Sequence, residues 1–310
     1  MEYIGVDVGG TKFAAAVLRD GGLGPDIVRP TRTDSGQAIL DDLVAVVERL
    51  RGPDTVAVGI GVPSIVEFAA GRIRNSNNIP LADVALRDVL TERTGLPVHV
   101  DNDANCAALA EAWEGGTDHL VMVTVGTGIG GGLVLNGRIY RGATGAAAEV
   151  GHMMIGTRSL EQLAAGTELD RLTRQLGIPG VVTGRDAVAA AAAGDARAIA
   201  VLRTLGARLG VGIANLINTF DPREVVIGGG VSAAGELVLE PARETARRHV
   251  FPGVGTACVI RAARAGVVAG LLGSALLAKT EHEGQRTPRI GMTSNAATPA
   301  KTAVARNNGV

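Results

Sequence analysis

The chain has 310 residues, enough for two domains, and its 46% hydrophobic and 20% charged residues mark a globular rather than a disordered protein. A formal net charge of -1 offers no field to attract nucleic acid or an anionic membrane, so neither is expected as a partner. The two cysteines, Cys106 and Cys258, sit in apolar stretches without metal-type spacing, which argues against a disulfide scaffold and for a reducing, cytoplasmic setting. Aromatics are 2% of the chain, so the core must be built from Ala, Val, Leu and Ile.

The N-terminus enters an apolar strand at 3–8 without a basic leader or cleavage pattern, and no apolar run of about 18 residues passes unbroken. Neither a signal peptide nor a membrane span is therefore expected. Residues 3–22 and 120–138 share one pattern: an apolar run, a Gly/Thr turn, a second apolar run and a closing Asp20-Gly21 or Asn136-Gly137. Each predicts a glycine-turned hairpin, and two such hairpins suggest a duplicated domain. Between them the pattern predicts a helix at 36–51, a strand at 55–62, a loop at 63–80, a helix at 83–94, a strand at 97–101 and a helix from about 104. After the second hairpin it predicts helices at 159–176, 184–193 and 195–219, a strand at 224–231, a helix at 235–249, a strand near 257–262 and a closing helix at 265–279. From 281 to 310 the chain is polar, aperiodic and Pro-containing, and reads as a disordered tail.

The two hairpin turns suit phosphate. Glycine lets backbone N–H groups approach an anion, and Asp7-Val8-Gly9-Gly10-Thr11-Lys12 adds a hydroxyl, a cation and a carboxylate that could hold a hydrated Mg²⁺. An ordinary tight turn would read the same. A matching turn, Gly126-Thr127-Gly128, and a third run, Gly228-Gly229-Gly230, make a nucleotide polyphosphate the natural occupant of a cleft between two halves. A Walker A lysine pattern is absent, and Gly126–Gly131 opens a strand rather than a helix, against a Rossmann reading. Asp103 lies where a strand passes into an Ala-rich helix, the position at which α/β sheets bind ligands, though Asp101, Asn102 and Asp103 would also suit a helix cap.

In DVGGTK (7–12), VDNDANCAALAE (100–111), TVGTGIGGGLVLNG (124–137), AAEVGH (147–152), SLEQLAAGTEL (159–169) and VVIGGGVS (225–232) the chain resembles the ROK family of sugar kinases and repressors, within the actin and hexokinase superfamily. The resemblance covers nearly everything but the tail. It implies an α/β fold of two actin-like, ribonuclease H-like domains, 1–115 and 116–280, with a cleft between them and the 265–279 helix packing back on the first. It implies ATP-dependent phosphorylation of the 6-hydroxyl of a hexose, glucose first, with Mg²⁺, and a homo-oligomer, dimer or tetramer. Asp103 would be the base, and Asn78, Asn102, Glu149, His152 and Glu161 would hold the sugar. Mannose, fructose, glucosamine or an N-acetylated amino sugar as acceptor stay open, as do polyphosphate as donor and a non-catalytic sugar-binding regulator. The repressor form would need a DNA-binding segment before the first hairpin, and that hairpin begins at residue 3. The family's cysteine-rich zinc loop is missing: 153–160 reads MMIGTRSL, so no zinc is expected, and the placing of His152 and Glu161 loses that support.

Overall fold

The computed structural model describes residues 1–284 apart from Asn77. The disordered tail expected at 281–310 falls almost wholly on 285–310, outside the described residues; 281 and 282 belong to the last helix.

The first half contains β1 (Glu2–Val8), β2 (Lys12–Arg19), β3 (Gly22–Leu23), β4 (Ile27–Pro30), α1 (Gly36–Leu50), β5 (Thr55–Val62), β6 (Ser64–Glu67), β7 (Arg72–Ser76), α2 (Leu86–Thr94), β8 (Val98–Asn102) and α3 (Asp103–Gly115). The second contains β9 (His119–Val125), β10 (Ile129–Leu135), β11 (Arg138–Ile139), β12 (Met154–Ile155), β13 (Arg158–Ser159), α4 (Leu160–Ala164), α5 (Gly166–Gln175), α6 (Gly184–Ala192), α7 (Ala196–Phe220), β14 (Glu224–Gly228), α8 (Glu236–His249), β15 (Val259–Ala262) and α9 (Ala269–His282).

One sheet runs β3-β2-β1-β5-β8, with β4 on β2, and the other runs β11-β10-β9-β14-β15. In each, an antiparallel hairpin is followed by two parallel strands, so the two halves repeat one plan. Asp20-Gly21 and Asn136-Gly137 turn with positive φ at both residues, as the right-handed twist of a two-residue hairpin loop requires.

Period-two alternation sorts each strand's side chains between two layers. On the first sheet Ile4, Val6, Val58 and Ile60 face α1 and α2, while Tyr3 and Ala57 face α3 and α9. On the second, Val121, Val123 and Val125 face the core under α7 and α8, while Leu120 and Met122 face α3. α3 is thus sandwiched between the two sheets, and α9 lies beside it on β1 and β5. With few aromatic rings to fill space, these layers close on backbone. A Cβ at Gly59 would overlap the Ser274 carbonyl, one at Gly273 would overlap the Cys106 carbonyl, and one at Gly132 would stand 2.5 Å from the Ala104 carbonyl oxygen. Glu111 of α3, fully buried, accepts from Arg261 Nη1 at 2.7 Å and from the Ala265 N–H at 2.9 Å, tying α3 to β15.

Several elements differ from the sequence expectation. The 63–80 stretch is not a plain loop but contains the β6–β7 hairpin. The helix at 159–176 is broken: Ala165 is extended and the Gly166 N–H donates to the Gly126 carbonyl at 2.7 Å, so α4 and α5 are separate. The 224–231 strand stops at Gly228, and a 3-10 turn over Gly230–Ala234 precedes α8, because Gly229 turns the chain at φ 82°. By length and composition α7 could cross a membrane. Its Leu202, Leu205, Leu209 and Ile213 are instead buried in the second core.

Gly273→Ala should destabilise the chain by about 1–3 kcal/mol through overpacking, more than the roughly 1 kcal/mol that Ala gains over Gly in a helix. Urea unfolding measures it, and a stabilised variant would contradict this packing.

Candidate active site

The carboxyl ends of the parallel strands of both sheets converge on two adjoining cavities. The larger, about 620 Å³, is lined by Ser64, Asn75, Asn78, Asn102, Asp103, Asn105, Thr124, Gly126, Gly128, Ala147, Glu149, His152 and Glu161, among others. The smaller, about 210 Å³, is lined by Asp7, Asp103, Thr124, Gly228, Gly229 and Gly270, among others. Asp103, Ala104, Thr124 and Gly229 form the wall common to both.

Asp103 is the first residue of α3, and Asn102 is its cap. Asn102 Oδ1 accepts from the N–H groups of Ala104 at 2.9 Å and Asn105 at 3.2 Å, and its Nδ2 donates to the Ser64 carbonyl at 3.3 Å. With the cap filled by Asn102, the Asp103 carboxylate is free to face the cavities. Its Oδ1 accepts from the Ala104 N–H at 2.8 Å. Burial pushes its pKa up to about 6, and the charge of Asp7 pushes the same way, against the pull of backbone N–H groups and Asn102. Asp7, on the floor of the smaller cavity, is also raised to about 6 by burial, with Lys12 pulling it down. A Cβ at Gly270 would stand 2.5 Å from Asp7 Oδ2, so the first turn of α9 closes directly over that carboxylate.

The sequence-predicted sugar residues meet in the larger cavity. Asn78, Glu149 and His152 are exposed on its walls. Glu161, in the first turn of α4, accepts from the Ile129 N–H at 2.8 Å, which moors α4 to the second glycine turn. Of the phosphate-type residues, Asp7, Gly126, Gly128, Gly228 and Gly229 line a cavity, and Gly9, Gly10, Thr11, Lys12, Thr127 and Gly230 line neither. The Gly9–Lys12 turn sits at the rim, where a Cβ on Gly10 would lie 3.5 Å from that of Asn78. Sequence reasoning did not single out Ser64 and Asn75, which the unforeseen β6–β7 hairpin delivers. It also passed over Asn105, Thr124 and Ala147, each inside a motif already quoted.

In place of a cysteine-rich loop, β12 and β13 form a short hairpin. Its Arg158 pairs with Glu168 at 3.4 Å and donates to the Gln162 carbonyl. Arg171 and Arg208 complete the cluster on Glu168 and hold its pKa down at about 2, Arg171 most strongly. Among the described residues, no group of three or more His, Cys, Asp or Glu side chains is placed to hold a metal ion.

Comparison with known proteins fits this geometry. The ROK family model matches residues 3–281. The glucokinase of Halalkalibacterium halodurans is 37% identical over 90% of this chain and 95% of its own length. The ROK hexokinase of Thermus thermophilus superposes with a TM-score of 0.78, at 37% identity over 91% of this chain and all of that one. A ROK family glucokinase from Streptomyces griseus, solved with glucose and AMPPNP, gives 0.76 at 35% identity, over 90% of this chain and all of that one. The two sheets of matching strand order take the actin-like fold of these sugar kinases, and the chain belongs to the ROK family.

Proposed function

We infer that the chain is an ATP-dependent hexokinase that phosphorylates the 6-hydroxyl of glucose. The observation that carries this reading is Asp103, on the wall shared by a sugar-sized polar cavity and a smaller one floored by Asp7. The larger cavity falls within the roughly 300–1,000 Å³ of small-ligand clefts. Asn, Glu and His side chains around it supply the donors and acceptors that a sugar's hydroxyls need. Kinship with glucokinases over about nine-tenths of the chain supports glucose as acceptor and ATP as donor.

In this reading Asn78, Asn102, Glu149, His152 and Glu161 orient the sugar. Asp103 takes the proton from the 6-hydroxyl as that oxygen attacks the γ-phosphorus and ADP leaves. The glycines at 126, 128, 228 and 229 let backbone approach the nucleotide, with Gly9, Gly10, Thr11, Lys12, Thr127 and Gly230 reaching it from the rim as the halves close. Asp7 suits a hydrated Mg²⁺: its carboxylate is largely desolvated, has no hydrogen-bond partner among the described residues and faces the charge of Asp103. When bound, that ion would neutralise phosphate charge. In this reading the domains are 1–115 and 116–280, one built on each sheet, with the closing helix at 265–279 packing back on the first. The unpaired Cys106 and Cys258 fit a reducing cytoplasm, and a dimer or tetramer belongs to the same reading through the family resemblance.

In an ADP-release assay with MgATP, glucose should give the highest kcat/KM among glucose, mannose, fructose, glucosamine and N-acetylglucosamine. A different best sugar overturns the acceptor, and turnover with polyphosphate alone overturns the donor.

Asp103 works only when ionised, so kcat/KM for glucose should be level above pH 7 and fall as pH drops through about 6. Stability runs the other way. A carboxyl raised above its unfolded value contributes stability at low pH that is lost as pH rises through about 6. Asp103→Asn should therefore raise the unfolding temperature of the ligand-free protein at pH 8 and leave it nearly unchanged at pH 4. Equal shifts at both would contradict a buried charge.

A further inference from the structure

Asp101, two residues before the proposed base, touches neither cavity, yet its side chain is 3% exposed and fully engaged. Oδ1 accepts from the Asn102 N–H at 2.8 Å and from Asn105 Nδ2 at 2.9 Å. Oδ2 accepts from Arg141 Nε at 2.6 Å. Arg141 belongs to the other half of the molecule, in the loop that leaves β11 and leads to Ala147 and Glu149 on the opposite cavity wall. Its guanidinium lies 3.4 Å from the centroid of the Phe68 ring, and Nη2 donates to Glu281 Oε1 at 3.2 Å. A second contact backs it: a Cβ at Gly145 would overlap the Val66 carbonyl, so the loop is seated on β6.

We propose that the Asp101–Arg141 pair is a positioning device that fixes the distance between the two walls of the sugar cavity. On one side it orders the turn carrying Asn102, Asp103 and Asn105, and on the other the loop carrying Ala147 and Glu149. A buried ion pair is a poor source of stability, since apolar side chains of similar volume do as well. The value of this one lies in its geometry, a planar guanidinium held by a carboxylate, a carboxylate and a ring, which leaves the loop one seat. The proposal rests on the reading of Asp103 and Glu149 given above.

The test is steady-state kinetics on the full chain with both substrates varied. Arg141→Met and Asp101→Asn should each raise KM for glucose on the order of 10- to 100-fold, since a misplacement of about 1 Å has that effect, and leave KM for MgATP within about threefold. In the double variant the effects should not multiply, because either change alone releases the loop. Arg141→Lys, which keeps the charge and serves if the truncations fail to fold, should fall between wild type and Arg141→Met. A tie of purely structural value would lower the unfolding temperature and leave the ratio of the two KM values unmoved. That result, or effects that multiply in the double variant, overturns the proposal. Glu149→Gln separates the layers. If it raises KM for glucose while Arg141→Met and Arg141→Lys do not, the pair has no positioning role. If it leaves KM for glucose unchanged, the site reading fails and the proposal with it.

Discussion

The structure depends on how closely α3 and α9 approach each other and the sheets around them. Gly273 lets α9 press on the carbonyl of Cys106, Gly59 brings β5 against Ser274, and Gly132 admits α3 to the second sheet. A Cβ at any of these points would push the layers apart. Because α3 touches both sheets, its first turn is fixed relative to both, and that turn carries Asp103. In a chain with 2% aromatics, rigidity comes from backbone contact with small residues rather than from large side chains filling gaps.

The same placement creates an electrostatic tension at the candidate site. Asp7 and Asp103 stand at and just beyond the ends of β1 and β8 in one sheet, where burial raises the free energy of each charged form and the charge of Asp7 adds to the effect on Asp103. A carboxylate with a pKa near 6 is a better proton acceptor than one near 4 and is still ionised at neutral pH. The cleft therefore carries a stability penalty at the site of the proposed chemistry, while Glu111 and Arg261, buried and paired, hold the far end of α3.

Much of this was legible in the sequence. The two hairpins announced themselves through Asp20-Gly21 and Asn136-Gly137, and the passage from β8 to α3 pointed to Asp103. What stayed hidden was set by contacts distant in the chain. The break between α4 and α5 follows from a hydrogen bond to Gly126, some forty residues earlier, and local periodicity cannot report it. Ser64 and Asn75 lie on strands too short and polar to stand out from a loop. Nothing local marks Arg141, and only the fold brings it to Asp101.

In the proposed mechanism Asp103 acts on the proton in transit and not on the sugar's binding. Calorimetric titration of Asp103→Asn with glucose, alongside its turnover with MgATP, addresses this most directly. The expected result is a glucose Kd within about tenfold of wild type and a kcat lower by on the order of 10²–10⁴-fold, the usual contribution of a positioned base. Near-normal turnover in a variant that binds glucose normally would contradict it.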